Sequence, residues 1–213
     1  MANDTFLDDL VADLRPVRRR SGARDVLLLA GVAGAELAVW LLLGFARPDL
    51  GEAMAGPSLP WKLASLLVLA VTAAATAVAS FSPENSPRAG LGWAAAAVGV
   101  ALLIGGVLGA VPTSVGEVIE RLDWRHGLLC VGKMSALSVL PAVVLGLLAK
   151  RGAPTDLRGT AWASGLAAAG WGAFVFAWAC PANDPLYIVV WYLVGCGLSA
   201  LLARFVIARA ARW

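Results

Sequence analysis

Six long apolar runs, separated by short polar or Gly/Pro-rich connectors, set the plan of the chain. They cover roughly residues 26–46, 61–81, 91–111, 127–149, 160–180 and 186–207. Each is close to the ~20 residues needed to cross a hydrocarbon core as a helix. Barrel strands would be shorter and would alternate. The connectors are 47–60, 82–90, 112–126, 150–159 and the very short 181–185. The pattern predicts an all-α fold: an integral membrane bundle of six transmembrane helices over residues 25–213. Small residues recur within the runs, with Gly105 and Gly109 four apart, a spacing that lets helix backbones approach closely.

The first 24 residues break this pattern. Phe6, Leu7, Leu10, Val11 and Leu14 recur at helical spacing and fall on one stripe about 140° wide. Asp8, Asp9 and Asp13 flank or oppose it. Asn3, Asp4 and Thr5 suit an N-cap, the aspartates suit the positive end of a helix, and Pro16 ends it at or before Arg15. So short a helix is marginal alone in water. Two surfaces suit its stripe: the membrane face with the protein's own loops, or the groove of a partner protein. Aspartate-rich helices are poor ligands for anionic lipid, which favours the partner. The basic cluster Arg15–Arg24 then anchors the arm at the membrane.

Composition agrees with a membrane protein. The 213 residues are 60% hydrophobic, with a mean hydropathy of +0.78, whereas soluble domains are about 45–50% apolar. The net charge of +3 comes from loop and tail arginines, so it reports topology, and no direct nucleic-acid partner is implied. With the N-terminus in the cytoplasm, that side carries Arg15, Arg18, Arg19, Arg20, Arg24, Arg88, Lys150, Arg151, Arg158, Arg204, Arg209 and Arg212. The other side carries Arg47, Lys62, Arg121 and Arg125. The bias puts both termini of a multi-pass membrane protein in the cytoplasm. Trp61, Trp93, Trp124, Trp162, Trp178 and Trp213 fall near the expected interfaces, and Trp171 reads as a packing residue.

Few residues are available for chemistry. The chain has three cysteines and one histidine. Cys130 and Cys180 fall at the same outer depth of two different spans, and Cys196 lies near mid-membrane, away from both. An oxidising compartment allows adjacent thiols to form a disulfide. His126, four residues before Cys130, and Asp184, in the turn after Cys180, extend this to a candidate soft-metal set of Cys130, Cys180, His126 and Asp184. A transient ion such as zinc or cadmium is the only cofactor this admits. Glu36 and Lys133 are the charges inside spans, at depths about 5 Å apart, so an ion pair across the bundle is expected. No Ser-His-Asp set, phosphate-binding loop or HExxH helix is present, and no enzymatic activity is expected.

Several segments resemble the NrsF-type anti-sigma factors, six-span bacterial inner-membrane proteins. They are Asp13-Leu14-Arg15-Pro16-Val17, Trp124-Arg125-His126 with Cys130, Arg151-Gly152-Ala153-Pro154, Cys180-Pro181 through Asp184-Pro185-Leu186-Tyr187 to Trp191-Tyr192, and Arg212-Trp213. One departure is Ala179, where the family often carries histidine, which weakens a metal site there. The resemblance implies a regulator that holds an extracytoplasmic-function sigma factor at the membrane and releases it under oxidant or heavy-metal stress. It carries the family's two sensor cysteines over to Cys130 and Cys180. The arm's expected partner-binding residues are Phe6, Leu7, Asp9, Leu10, Val11, Asp13, Leu14 and Arg15. Arm (1–24) and bundle (25–213) form the two domains. The competing expectation is a small transporter or channel using Glu36 and Lys133.

Overall fold

The computed structural model describes residues 20–110 and 114–210. The partner-binding arm, from Phe6 to Arg15, lies outside the described residues. Within them every regular element is a helix: α1 (Gly22–Leu42), α2 (Leu50–Ala55), α3 (Ser58–Ser80), α4 (Arg88–Leu108), α5 (Val115–Leu122), α6 (Trp124–Leu137), α7 (Val139–Lys150), α8 (Leu157–Ala177) and α9 (Pro185–Ala210). Five single helices and the run from α5 to α7 are long and apolar enough to cross a membrane.

Local chemistry sets the boundaries. Helix α1 begins at Gly22 because the Ser21 hydroxyl accepts from Arg24 N–H. It ends at Leu42, before Gly44 at φ +77°, a left-handed geometry that glycine adopts without penalty. Helix α8 starts after Asp156, whose carboxylate accepts from Gly159 N–H at 2.9 Å, and stops at Ala177, three residues short of the expected span. The connector 112–126 holds a helix of its own, α5. Its start is a capping box: Ser114 and Glu117 bond each other's backbone N–H. Asp123, at φ +31°, ends α5 and caps α6. The expected fourth span is interrupted at Ser138, because Pro141 has no N–H to give to the preceding turn. The Ser138 hydroxyl instead donates to Met134 O at 2.8 Å.

Helix α8 is the axis of the bundle. Of its most apolar stretch 83% is buried, against 0% for α1 and 11% for α4. Its glycines explain this. A Cβ on Gly165 would lie 2.5 Å from Ala200 O on α9, one on Gly170 3.1 Å from Ala70 N on α3, and one on Gly172 2.4 Å from the Ser138 hydroxyl. Bare backbone at these points lets three neighbours close on α8, which is how apolar helices gain contact when no hydrophobic effect separates lipid from protein. On α4, Gly105 makes room for the Trp61 ring. Large apolar side chains such as Leu27, Leu42, Trp93, Leu103, Val107 and Val206 are exposed, the surface expected of helices that would face lipid.

The two ends of the bundle differ. Arg20, where the arm joins α1, stacks over the Phe81 ring at 4.7 Å and pairs with Asp25 at 2.5 Å. Phe81 O accepts from Ala153 N–H, tying that end of α3 to the loop before α8. The last turn of α8 and the first turns of α3, α6 and α9 meet at the opposite end, where the cysteines lie.

Candidate functional site

Cys180 sits three residues beyond α8, and Cys130 is in the second turn of α6. Both are buried, at 1% and 8% exposure. The chain returns to this end at Cys180 because α8 stops at Ala177 and the turn before Pro185 sends α9 back. The two side chains are direct neighbours, and both are free thiols. The Cys130 sulfur lies 3.2 Å from the Tyr187 hydroxyl. The Tyr192 hydroxyl faces Cys180 and has no well-aligned hydrogen-bond partner among the described residues. Cys196 stays apart, its thiol directed at Ala169 O, 3.8 Å away.

Two cations wrap the pair. The Lys62 side chain is 1% exposed and donates to Ala182 O at 3.1 Å and to Cys180 O at 3.4 Å. Its ammonium also lies 5.5 Å from the Tyr192 ring centre. Arg47 donates to Cys180 O at 3.2 Å, to Asn183 Oδ1 at 2.8 Å, and through two nitrogens to the Asp49 carboxylate at 2.7 and 2.6 Å. Its backbone N–H reaches Trp178 O at 3.0 Å. The Cys130 thiol and the Lys62 charge hold the Cys180 thiol below the usual thiol range, against the opposing effect of burial. A lowered thiol value raises the thiolate fraction, which makes Cys180 the candidate nucleophile of the pair.

The charges that sequence reasoning counted only on the outer side, Arg47 and Lys62, are thus buried parts of the cysteine site. The available clue was a lysine one residue after Trp61, at the start of an apolar run, since ionisable groups in such runs mark functional sites by default.

The four-residue metal set is not assembled. Among the described residues no three of His, Cys, Asp and Glu come together. Asp184 is taken by Arg121 through two bonds of 2.7 Å each, and it accepts from Leu186 N–H at 2.9 Å. The Arg121 guanidinium holds its carboxyl below the usual carboxylate range. His126 is in the first turn of α6 as expected, but its ring is 75% exposed and pairs with Asp123 at 2.5 Å. It lies one turn before Cys130, whose sulfur is against Tyr187 at 3.2 Å.

The expected Glu36–Lys133 pair is not formed either. Glu36 accepts from the Trp171 indole N–H at 3.1 Å, and the Lys133 ammonium lies over the Phe176 ring at 5.9 Å. Trp171, read as packing alone, is the partner of Glu36. Helix α1 packs on α3, α7 and α8, on a different side of α8 from α6, so the two charges face different neighbours.

Comparison with known proteins places the chain. Residues 10–213 match the family model NrsF, described as negative regulator of sigma F. The chain belongs to the NrsF family. Among its NrsF relatives, the anti-sigma-F factor NrsF of Caulobacter vibrioides (strain NA1000 / CB15N) is 32% identical over 100% of this chain and 98% of its own length. The probable anti-sigma-F factor NrsF of Azospira oryzae (strain ATCC BAA-33 / DSM 13638 / PS) is 28% identical over 100% of both chains. No solved structure matches. The NrsF family is one of regulators, and the cysteine site described above lies within the matched residues.

Proposed function

We propose that the protein is an anti-sigma factor of the bacterial inner membrane. Its cytoplasmic arm holds an extracytoplasmic-function sigma factor, and oxidation of Cys130 and Cys180 at the other end of the bundle releases it. The observation that carries the reading is the burial of two free thiols side by side under Lys62 and Arg47. The family match supplies the class of partner. The stripe of Phe6, Leu7, Leu10, Val11 and Leu14 is the surface for that partner. Asp9 and Asp13 complement basic patches on it, and Arg15 begins the membrane anchor.

The chemistry is a two-electron oxidation. The Cys180 thiolate attacks the peroxide oxygen of a hydroperoxide, ROOH, and the O–O bond breaks to leave a sulfenic acid and RO⁻, which takes a proton from solvent to become ROH. Cys130 then attacks the Cys180 sulfur, loses its proton and expels water, giving the disulfide. A soft dication fits less well. It would find two sulfurs with no third ligand of the usual type among the described residues, and it would sit beside the Lys62 charge.

Helix α1 offers a route to the arm. It is the least buried of the spanning helices, it continues the arm at Gly22, and its far end is tied through Arg47 to Cys180 O and Trp178 O. A disulfide that moves the Cys180 loop moves Arg47 with it. The transporter reading rested on a Glu36–Lys133 pair, and each of these side chains has another partner.

Substituting serine for either Cys130 or Cys180 is expected to abolish stress induction of the sigma factor's target genes while repression persists. Normal induction in both single variants overturns the sensor. A pull-down with residues 1–24 tests the arm separately: failure to retain the sigma factor places its binding surface elsewhere.

A further inference from the structure

Helix α5 lies at the cysteine end of the bundle, and none of its residues is buried. Its apolar side chains, Val115, Val118, Ile119 and Leu122, recur at the spacing of an amphipathic helix. Two partners fix how the helix is turned. Arg121 holds the Asp184 carboxylate through two bonds of 2.7 Å, and the Leu122 carbonyl accepts from the Trp191 indole N–H at 2.6 Å. Val118, Arg121 and Leu122 are accordingly half-buried. Val115 and Ile119 are left 79% and 64% exposed.

The angular order of these groups indicates what covers the exposed face. At about 100° per residue, the half-buried side is centred about 90° from the midline of Val115 and Ile119, and Glu120 and Glu117 lie about 120° and 180° from it. The bundle is therefore on one side of the helix, the apolar stripe faces the next, and the acids turn away from both. Depth agrees. Residues 124–150, at ~1.5 Å each, already exceed a hydrocarbon core of ~30 Å, which leaves α5 at the level of the headgroups. Asp123 joins it directly to α6, whose first turns expose Trp124, Leu128 and Leu129 at 59%, 54% and 62%. The Arg125 guanidinium lies 5.4 Å from the Trp124 ring centre, and such an aromatic–cation pair suits the headgroup zone. A protein partner fits less well, because Val115, Ile119 and Trp124 offer far less than the roughly 1,000 Å² of a specific interface.

We propose that α5 is an interfacial helix that binds the phospholipid surface at the cysteine end of the bundle. Val115 and Ile119 enter the boundary between headgroups and acyl chains, Trp124 sits at the same level, and Arg125 meets lipid phosphate. Glu117 and Glu120 stay in water. Because α5 is tethered to α6, it needs no net positive charge to remain at the surface. The Arg121–Asp184 bonds tie this seated helix to the turn that carries Cys180. The proposal rests on the bundle crossing a membrane and is independent of the cysteine chemistry.

The test uses the full chain in liposomes of phosphatidylethanolamine and phosphatidylglycerol. The photocrosslinker p-benzoylphenylalanine replaces Ile119, Glu120 or the exposed Leu103 of α4, one site per variant. After irradiation, intact mass reads lipid adducts and gel mobility reads crosslinked dimers. Phospholipid adducts are expected at Ile119 and Leu103, with about fivefold fewer at Glu120. The crosslinker at Val115 repeats the measurement on the same stripe if the Ile119 variant fails to insert. No adduct at Ile119 or Val115, with adducts still formed at Leu103, overturns the lipid seat alone. So do equal adducts at Ile119 and Glu120, and so do dimers in place of lipid adducts on the stripe, the result expected if a second copy covers it. No adduct at Leu103 overturns the membrane reading of the bundle as well.

Discussion

Replacing Lys62 with methionine removes the buried charge beside Cys180 while keeping the length of the side chain. Ala182 O loses its ammonium donor, whereas Cys180 O keeps Arg47 at 3.2 Å. Opposite unit charges about 4 Å apart gain ~4 kcal/mol at an effective dielectric of ~20. The Lys62 ammonium is bonded to the Cys180 carbonyl rather than to its sulfur, so roughly half of that, ~2 kcal/mol, is a fair magnitude for the thiolate. This corresponds to ~1.5 pKa units. The sign follows directly: losing the cation disfavours the thiolate, so the Cys180 value moves up toward that of an ordinary thiol. A more basic thiolate is also a better nucleophile, by ~5-fold for that shift at a Brønsted slope near 0.45. Below both pKa values the variant therefore reacts with hydrogen peroxide ~6-fold more slowly, and above both it reacts ~5-fold faster. The two pH–rate profiles cross. The assay is stopped-flow disulfide formation in nanodiscs between pH 4 and 10. Superimposable profiles refute a thiolate held by Lys62.

Other substitutions probe other parts of the account. Arg47→Gln is expected to leave disulfide formation and repression intact but to reduce induction severalfold, read by a reporter alongside thiol labelling; full induction removes Arg47 from the route to the arm. Gly165→Val pushes a branched side chain onto Ala200 O and should cost about 1–3 kcal/mol, lowering Tm by roughly 2–10 °C in detergent; an unchanged Tm means α8 and α9 are not in backbone contact. Asp184 is held below the carboxylate range by Arg121, so the pair adds stability above about pH 4 and loses it as pH falls through the lowered Asp184 value. Melting curves of wild type and Asp184→Asn should therefore converge in acid and separate at neutral pH. Glu36→Gln keeps an oxygen for the Trp171 indole, so repression and ion permeability of the membrane should both be unchanged; a lost ion flux would revive the transporter reading.

The bundle was legible because apolar length is a one-dimensional property. Six runs of about twenty residues announce six spans regardless of how they pack, and the structure places helices long and apolar enough to span within a few residues of each. What local composition hid was what depends on hydrogen bonding. Ser114 and Glu117 make α5 out of a stretch that reads as loop, and Pro141 opens a break in a run that reads as continuous. At the site, the spacing argument found both sulfurs, since the ends of the fourth and fifth runs share a depth. It failed on their neighbours. His126 and Asp184 are near the sulfurs in sequence, but each has a closer charge partner, Asp123 and Arg121. Lys62 and Arg47 are far from the sulfurs in sequence and were counted only as outer-side charges. Depth along a helix can be read from a sequence, whereas the direction a side chain faces depends on which helices are neighbours.

The most direct test follows sulfur chemistry and gene output in the same cells. After exposure to hydroperoxide, acid quenching and differential alkylation give the fraction of chains with Cys130 joined to Cys180, while a reporter gives transcription from the sigma-dependent promoter. The disulfide fraction is expected to rise before transcription and to scale with it across doses, and both are expected to vanish in Cys180→Ser. Full induction while the two thiols stay reduced would contradict the account at its centre.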